Sequence, residues 1–242
     1  MSSRRPPLVI VPAHNEEESI GGALADIRAN APGTDILVVN DHSTDRTGAI
    51  VESLGVRQIR LACNLGYRSA LQIGCAWALE NGYGRVVFFD GDGQHPASAI
   101  EPMLERLERG EGDIVIASRY AEGGSGAGTS IGRFFGNRFF SRAASRLTGQ
   151  RITDSTSGMK AVGAGVLPLI AEGHFLDMHA EALVYLGLRG FRIAEHPAAF
   201  AERRAGVSMY GRLALLRYPL LTGVMILCSL VHAWLDGGGR RR

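Results

Sequence analysis

Arg85-Val86-Val87-Phe88-Phe89-Asp90-Gly91-Asp92-Gly93-Gln94-His95-Pro96 decides what kind of chain this is. An apolar run ending in a Gly-rich turn reads as a buried strand. The stretch from Pro96 to Arg109 reads as a helix. Asp90 and Asp92, spaced Asp-x-Asp, therefore sit between the end of a strand and the start of a helix. A surface turn rich in Asp and Gly has the same local composition, so the pair carries weight only through this setting. Carboxylate oxygens suit Mg²⁺ or Mn²⁺, which fill the rest of their shell with water and substrate phosphate.

Outward from this stretch the pattern repeats. Leu8–Ala13, Asp35–Asn40, Val56–Leu61 and Asp113–Ser118 are further short apolar strands. Between them Glu16–Asn30, with Ile20, Leu24 and Ile27 at helical spacing, Asp45–Leu54 and Leu65–Asn81 read as helices. Strands alternating with helices imply right-handed βαβ units and a mainly parallel sheet flanked by helices. In such sheets ligands bind beyond the carboxyl ends of the strands. Asn15-Glu16, Asp41 and Asp90-Gly91-Asp92 all fall there.

Past Tyr120 the character changes. Ala121–Thr129 is Gly-rich, and Ile131–Leu147 reads as an amphipathic helix with Phe134, Phe135, Phe139 and Phe140 beside Arg133, Arg138, Arg142 and Arg146. Phe and Arg interleaved in this way suit either an interfacial helix or a Phe face in the core with Arg outside. A turn and short strand over Asp154–Ala161, a helix over Leu176–Leu188 and a strand over Phe191–Ala194 follow. Tyr218–Leu235 is apolar, with basic flanks at Arg212, Arg217 and Arg240–Arg242. It stands at the lower edge of spanning length, and two basic flanks set no orientation. A helix lying in or dipping into the cytoplasmic leaflet is expected, with a helix docked on the domain or a contact between copies as the other readings. The expected division is a catalytic domain over 1–207 and a helical tail over 208–242.

The 242 residues, 45% of them apolar, suffice for one sizeable α/β domain and an appendage. A formal net charge of +2 does not call for nucleic acid. Cys63, Cys75 and Cys228 lack any metal spacing and fit a reducing cytoplasm, and no long apolar segment follows the short basic N-terminus. No G-x-G-x-x-G follows the first strand, which disfavours a dinucleotide oxidoreductase.

Three further motifs offer ligand chemistry. In Val39-Asn40-Asp41-His42-Ser43-Thr44-Asp45, Asp41 can accept hydrogen bonds from a base or ribose, and Asp45 is placed to cap a helix. In Val11-Pro12-Ala13-His14-Asn15-Glu16, Glu16 can hold ribose or base, or simply favour a helix N-terminus. His14 can stack on a base or fill space. In Asn64-Leu65-Gly66-Tyr67-Arg68, a Gly turn opens a helix, where anions bind; Arg68 reaches a diphosphate or stays solvated.

Taken in order, these stretches resemble the inverting nucleotide-sugar glycosyltransferases of family 2, which have the GT-A fold, a Rossmann-like mixed sheet. Ala117-Ser118-Arg119-Tyr120, Gly132-Arg133-Phe134-Phe135-Gly136-Asn137, Asp154-Ser155-Thr156-Ser157-Gly158-Met159-Lys160 and Arg203-Arg204-Ala205-Gly206-Val207-Ser208 narrow the resemblance to the polyprenyl- and dolichyl-phosphate sugar synthases. It implies donor contacts at Pro12, His14, Glu16, Asp41, Arg68, Asp90, Gly91 and Gln94. It implies metal or diphosphate contacts at Asp90, Asp92 and Gln94. It also implies phosphate contacts at Arg119, Arg133, Arg203 and Ser208, with Asp92, Arg119 and Arg203 central to catalysis. The chain departs from the branch at Asn40, where Asp is usual, and at Met209, where Lys is frequent. The implied reaction is sugar transfer from a nucleotide-sugar to a polyprenyl phosphate on the cytoplasmic membrane face, by a protein that is peripheral or monotopic. A saccharide hydroxyl is the alternative acceptor and would need a carboxylate base, for which Asp177 and Glu181 are the candidates.

Overall fold

The computed structural model describes residues 5–125, 131–175, 178–201 and 214–235, with backbone alone for 131–133, 214–222 and Trp234. Arg203, Ser208, Asp177 and the 207/208 boundary lie outside these residues.

Seven strands form one sheet in the order β3-β2-β1-β4-β6-β5-β7. They are β1 (Leu8–Ala13), β2 (Asp35–Asn40), β3 (Arg57–Arg60), β4 (Arg85–Phe88), β5 (Ile114–Ser118), β6 (Lys160–Gly163) and β7 (Ile193–Pro197). All neighbours pair in parallel except β6, which runs antiparallel to both β4 and β5. Lys160 is in register with Phe88 on one side and Ile116 on the other. Because β6 runs backwards, the loop entering it lies at the edge where β4 and β5 exit. The Asp154–Met159 turn thereby reaches the ligand edge.

The helices are α1 (Ile20–Asn30), α2 (Thr47–Ser53), α3 (Tyr67–Glu80), α4 (Ile100–Glu108), α5 (Ile131–Thr148), α6 (Leu167–Ala171), α7 (Ala180–Leu188) and α8 (Ala214–Leu235); a 3₁₀ turn over Ala97–Ala99 precedes α4. The alternating side chains of β1 fall into two cores. Leu8 and Ile10 join Leu37, Val39 and Phe88 beneath α3 and α7, while Val9 and Val11 join Val38, Val87 and Phe89 beneath α1 and α4. Strands covered on both faces must be apolar throughout, which is why the first half was readable as apolar runs. Gly74 lets α3 close on β1: a Cβ there would lie 2.6 Å from Ile10 Cγ2.

α8 packs on α7 by one face. Ile226, Ser229 and Ala233 are buried, and the Ser229 hydroxyl donates to Glu181 Oε1 at 2.8 Å. His232 stacks on His174, with centroids 5.7 Å apart and planes 13° apart. Val224, Leu227, Val231 and Leu235 face outward. No helix among the described residues is long and apolar enough to cross a membrane.

Candidate active site

The tips of β1 and β2 are stitched together by polar groups. The Asp41 amide donates to Ala13 O, and both Asp41 carboxylate oxygens accept backbone N–H groups, from Leu65 at 2.7 Å and Gly66 at 2.8 Å. Asp41 is buried, so its carboxylate fixes the turn that opens α3. His14 donates from Nδ1 to the Asp41 carbonyl at 2.6 Å, which leaves Nε2 to accept from Asn64 Nδ2 at 3.2 Å. Glu16 accepts from the Ser19 hydroxyl at 2.6 Å, and Pro12 is buried in β1. Asn15 has φ 55°, held by its side chain accepting from the Thr44 amide and by its amide donating to Ser43 Oγ. Asp45 accepts from the Thr47 amide and hydroxyl and the Glu17 amide. Burial alone would raise its carboxyl, but these bonds hold it below the usual range. The N-cap position of α2 falls to Arg46, so Asp45 is not the cap expected of it; it holds the start of the helix from one residue earlier, through Thr47.

The tip of β4 carries the acidic pair. Asp92 is 7% exposed and accepts the Gln94 amide at 3.0 Å; Gly91 beside it is buried. Asp90 is held on both oxygens: Tyr67 donates its hydroxyl to Oδ1 at 2.9 Å, and His95 Nε2 lies 3.3 Å from Oδ2. The Asp90 amide donates to His95 Nδ1 at 2.9 Å, which places the ring proton on Nε2, facing the carboxylate. Gly158, in the loop before β6, closes over this group; a Cβ there would come within 3.0 Å of Asp90 Oδ2 and 3.2 Å of the Tyr67 hydroxyl. Arg68 turns to the Phe175 carbonyl at 2.8 Å.

Arg119, one residue past β5, forms a fork with Asp154. Nε donates to Oδ2 at 2.7 Å and Nη2 to Oδ1 at 2.8 Å, and Nη2 also reaches Thr156 Oγ1 at 2.8 Å. Asp154 is fully buried. Burial pushes its carboxyl up, but the Arg119 bonds and charge outweigh that and hold it below the usual carboxylate range. Glu195 of β7 supports the turn by accepting the Thr153 and Asp154 amides at 2.7 and 2.8 Å. Asn137 and Ser141 of α5 grip it from the other side, through Thr153 O and Ser155.

Phe200 joins the two halves. Its ring meets His95 edge-on at 5.3 Å, and the Arg119 guanidinium lies over it at 5.4 Å. Beside it Ala201 donates to Gln94 O at 3.0 Å. The acidic loop and the Arg119–Asp154 pair therefore form one contiguous site. Arg133 lies in α5, its side chain outside the described residues. Tyr67, His95, Asp154, Gly158, Glu195 and Phe200 join the site without an individual role expected from the motifs. The signal available for Asp154 and Glu195 was a carboxylate in an otherwise apolar or small-residue stretch.

Among the described residues no group of three or more His, Cys, Asp or Glu side chains is arranged to hold a metal. Asp92, Asp90 and Gln94 carry the hard oxygen donors of the kind that Mg²⁺ or Mn²⁺ takes together with phosphate and water.

A mostly parallel sheet with one reversed strand, helices on both faces and an acidic loop at the tip of β4 defines a nucleotide-sugar transferase fold of the GT-A kind. The family model of Glycosyl transferase family 2 matches residues 8–167, and the chain belongs to that family of glycosyltransferases. It is 30% identical over 214 residues to polyprenol monophosphomannose synthase of Mycolicibacterium smegmatis, covering 83% of this chain and 79% of the relative. It is 31% identical over 210 residues to undecaprenyl-phosphate mannosyltransferase of Micrococcus luteus, covering 83% of this chain and 86% of the relative. Among solved structures, a mannosyltransferase from Pyrobaculum calidifontis in complex with GDP-Man and Mn²⁺ superposes with a TM-score of 0.65 at 17% identity, covering all of this chain and 67% of that one.

Proposed function

We propose that this chain moves a sugar from a nucleotide-sugar, of the GDP-mannose or UDP-hexose type, to a polyprenyl phosphate at the cytoplasmic face of the membrane, with inversion. The observation that carries the reading is that the likeness to lipid-phosphate sugar transferases runs over 83% of the chain, beyond the acidic loop into the Arg119–Asp154 half.

Asp92, with Asp90 and Gln94, would hold Mg²⁺ or Mn²⁺. When bound, that ion neutralises charge on the departing diphosphate. The chain's own groups do the rest. Tyr67 and His95 hold the Asp90 carboxylate in one orientation. Pro12, His14, Glu16, Asp41 and Gly91 shape the donor side, Asp41 by fixing the Asn64–Gly66 turn that faces His14. Arg68, Arg119, Arg133, Arg203 and Ser208 are assigned to phosphate. A guanidinium does not titrate near neutrality and donates charge-assisted hydrogen bonds to phosphate oxygens. Arg119 meets Asp154 through Nε and Nη2, and that anchor fixes its plane.

A phosphate acceptor is anionic at neutral pH and needs no base; holding two anions together is the task. Of the two base candidates for a hydroxyl acceptor, Asp177 lies outside the described residues, and Glu181 is 3% exposed and takes a hydrogen bond from Ser229 of α8. That engagement argues against Glu181 as the base.

The test is a panel of nucleotide-sugars with polyprenyl phosphate and Mg²⁺ or Mn²⁺. Release of nucleoside diphosphate should require the lipid and the metal. Equal turnover in excess chelator, or release with a saccharide and none with the lipid, refutes the proposal.

A further inference from the structure

The outward face of α5 is built unlike a face meant for water. Phe135 is 63% exposed and Phe139 67% exposed, one helical turn apart, and they share a shallow groove with Arg138, Arg142, Ala143 and Arg146. The inward face carries Asn137 and Ser141 among Phe140 and Ala144, all buried. Phe140 and Ala144 already supply the apolar stripe by which the helix packs, so the two outward rings are surplus to that packing. The inward polar groups are accounted for, since they hold the turn that carries Asp154. The outward rings have no such explanation within the fold. An exposed apolar patch edged by like charge marks an interaction site.

The charge says what kind. The helix holds four arginines and no acidic residue. A second copy meeting this face symmetrically would set arginine against arginine. An anionic surface with an apolar layer behind it satisfies both residue types at once.

We propose that the outer face of α5 docks on an anionic lipid bilayer, Phe135 and Phe139 entering the acyl boundary and Arg138, Arg142 and Arg146 lying against headgroup phosphates. The inner face of the same helix then sets the Asp154–Arg119 pair about one helix diameter, ~10 Å, below that surface. Presentation of a lipid phosphate at headgroup depth rests on the transferase reading given above; the docking itself does not.

The test uses the full chain with vesicles of phosphatidylcholine, with and without phosphatidylglycerol, and two variants: F135S/F139S and R138Q/R142Q/R146Q. At about a factor of five for each of three arginines near an anionic surface, the wild type should bind mixed vesicles roughly a hundredfold more tightly than neutral ones. The arginine variant should lose that difference, and the phenylalanine variant should bind mixed vesicles at least about tenfold more weakly. Both should keep the wild-type melting temperature, since the changed side chains are outward. Equal wild-type binding to both vesicle types overturns the proposal, as does either variant binding like wild type. A dimer in solution that F135S/F139S dissolves, with no vesicle binding, assigns the face to a second copy and overturns it too. Vesicle binding needs no turnover, so a failed transferase reading would show as an inactive donor panel with docking intact.

Discussion

Asp154→Asn removes the charge that holds Arg119. In the native protein the fork closes through two bonds of 2.7 and 2.8 Å, the carboxylate also accepts the Arg119 amide at 3.1 Å, and Asp154 has no exposure to water. Breaking a buried pair costs about 3–5 kcal/mol because the surviving charge stays buried without its partner. For a chain of this size that amounts to a fall in melting temperature of about 6–20 °C. The pH dependence carries the sign. The folded carboxyl is depressed below its ordinary value, so its contribution is complete above the ordinary carboxylate range and is lost as pH falls through the folded pKa. Denaturant melts should therefore show a wide gap between wild type and variant near neutrality, closing in strong acid. The gap should resist added salt, because a buried pair is little screened. A gap near neutrality under about 1 kcal/mol, the range of an exposed ion pair, would refute the reasoning. So would a gap that widens in acid.

Three further outcomes are expected. Asp92→Asn should lower turnover by about a hundredfold or more with an unchanged melt; calorimetry should show weakened Mn²⁺ binding, and wild-type metal affinity would remove Asp92 from the metal set. Phe200→Ala loses a ring edge against His95 and a cation face against Arg119. At about 0.5–1.5 kcal/mol each, these contacts predict a loss of about 1–3 kcal/mol of folding stability in chemical denaturation, with Phe200→Tyr near wild type; equal stability in Ala and Tyr variants would dismiss the ring's role. Gly74→Ala must push Ile10 aside, at about 1–3 kcal/mol by chemical denaturation, and a neutral result would mean α3 can recede at no cost.

The parallel half of the fold was legible because its strands are covered on both sides. Leu8–Ala13 and Asp35–Asn40 appear with the ends expected, since both are built around buried apolar runs. The second half was less so. β7 was expected over Phe191–Ala194 and runs over Ile193–Pro197. Glu195 belongs in the strand because it takes the Thr153 and Asp154 amides, a demand set by residues more than forty positions away. α6, over Leu167–Ala171, is too short for its period to show and went unread. The site divides in the same way. Asp90 and Asp92 were visible because a strand, a turn and a helix start follow one another directly. The Asp154 partner of Arg119 was not, because β6 had first to turn back and deliver it.

That reversal at β6 also places a seam down the molecule. On one side lie β1 to β4 and the loops that would greet a nucleotide; on the other lie β5, β7 and the turn that holds Arg119. The contacts that cross it at the ligand edge include Gly158 above Asp90 and Phe200 between His95 and Arg119. Loops on either bank can drift in length and composition while those bridging residues stay put, so a scaffold of this design can trade one recognition surface for another without rebuilding the opposite shore.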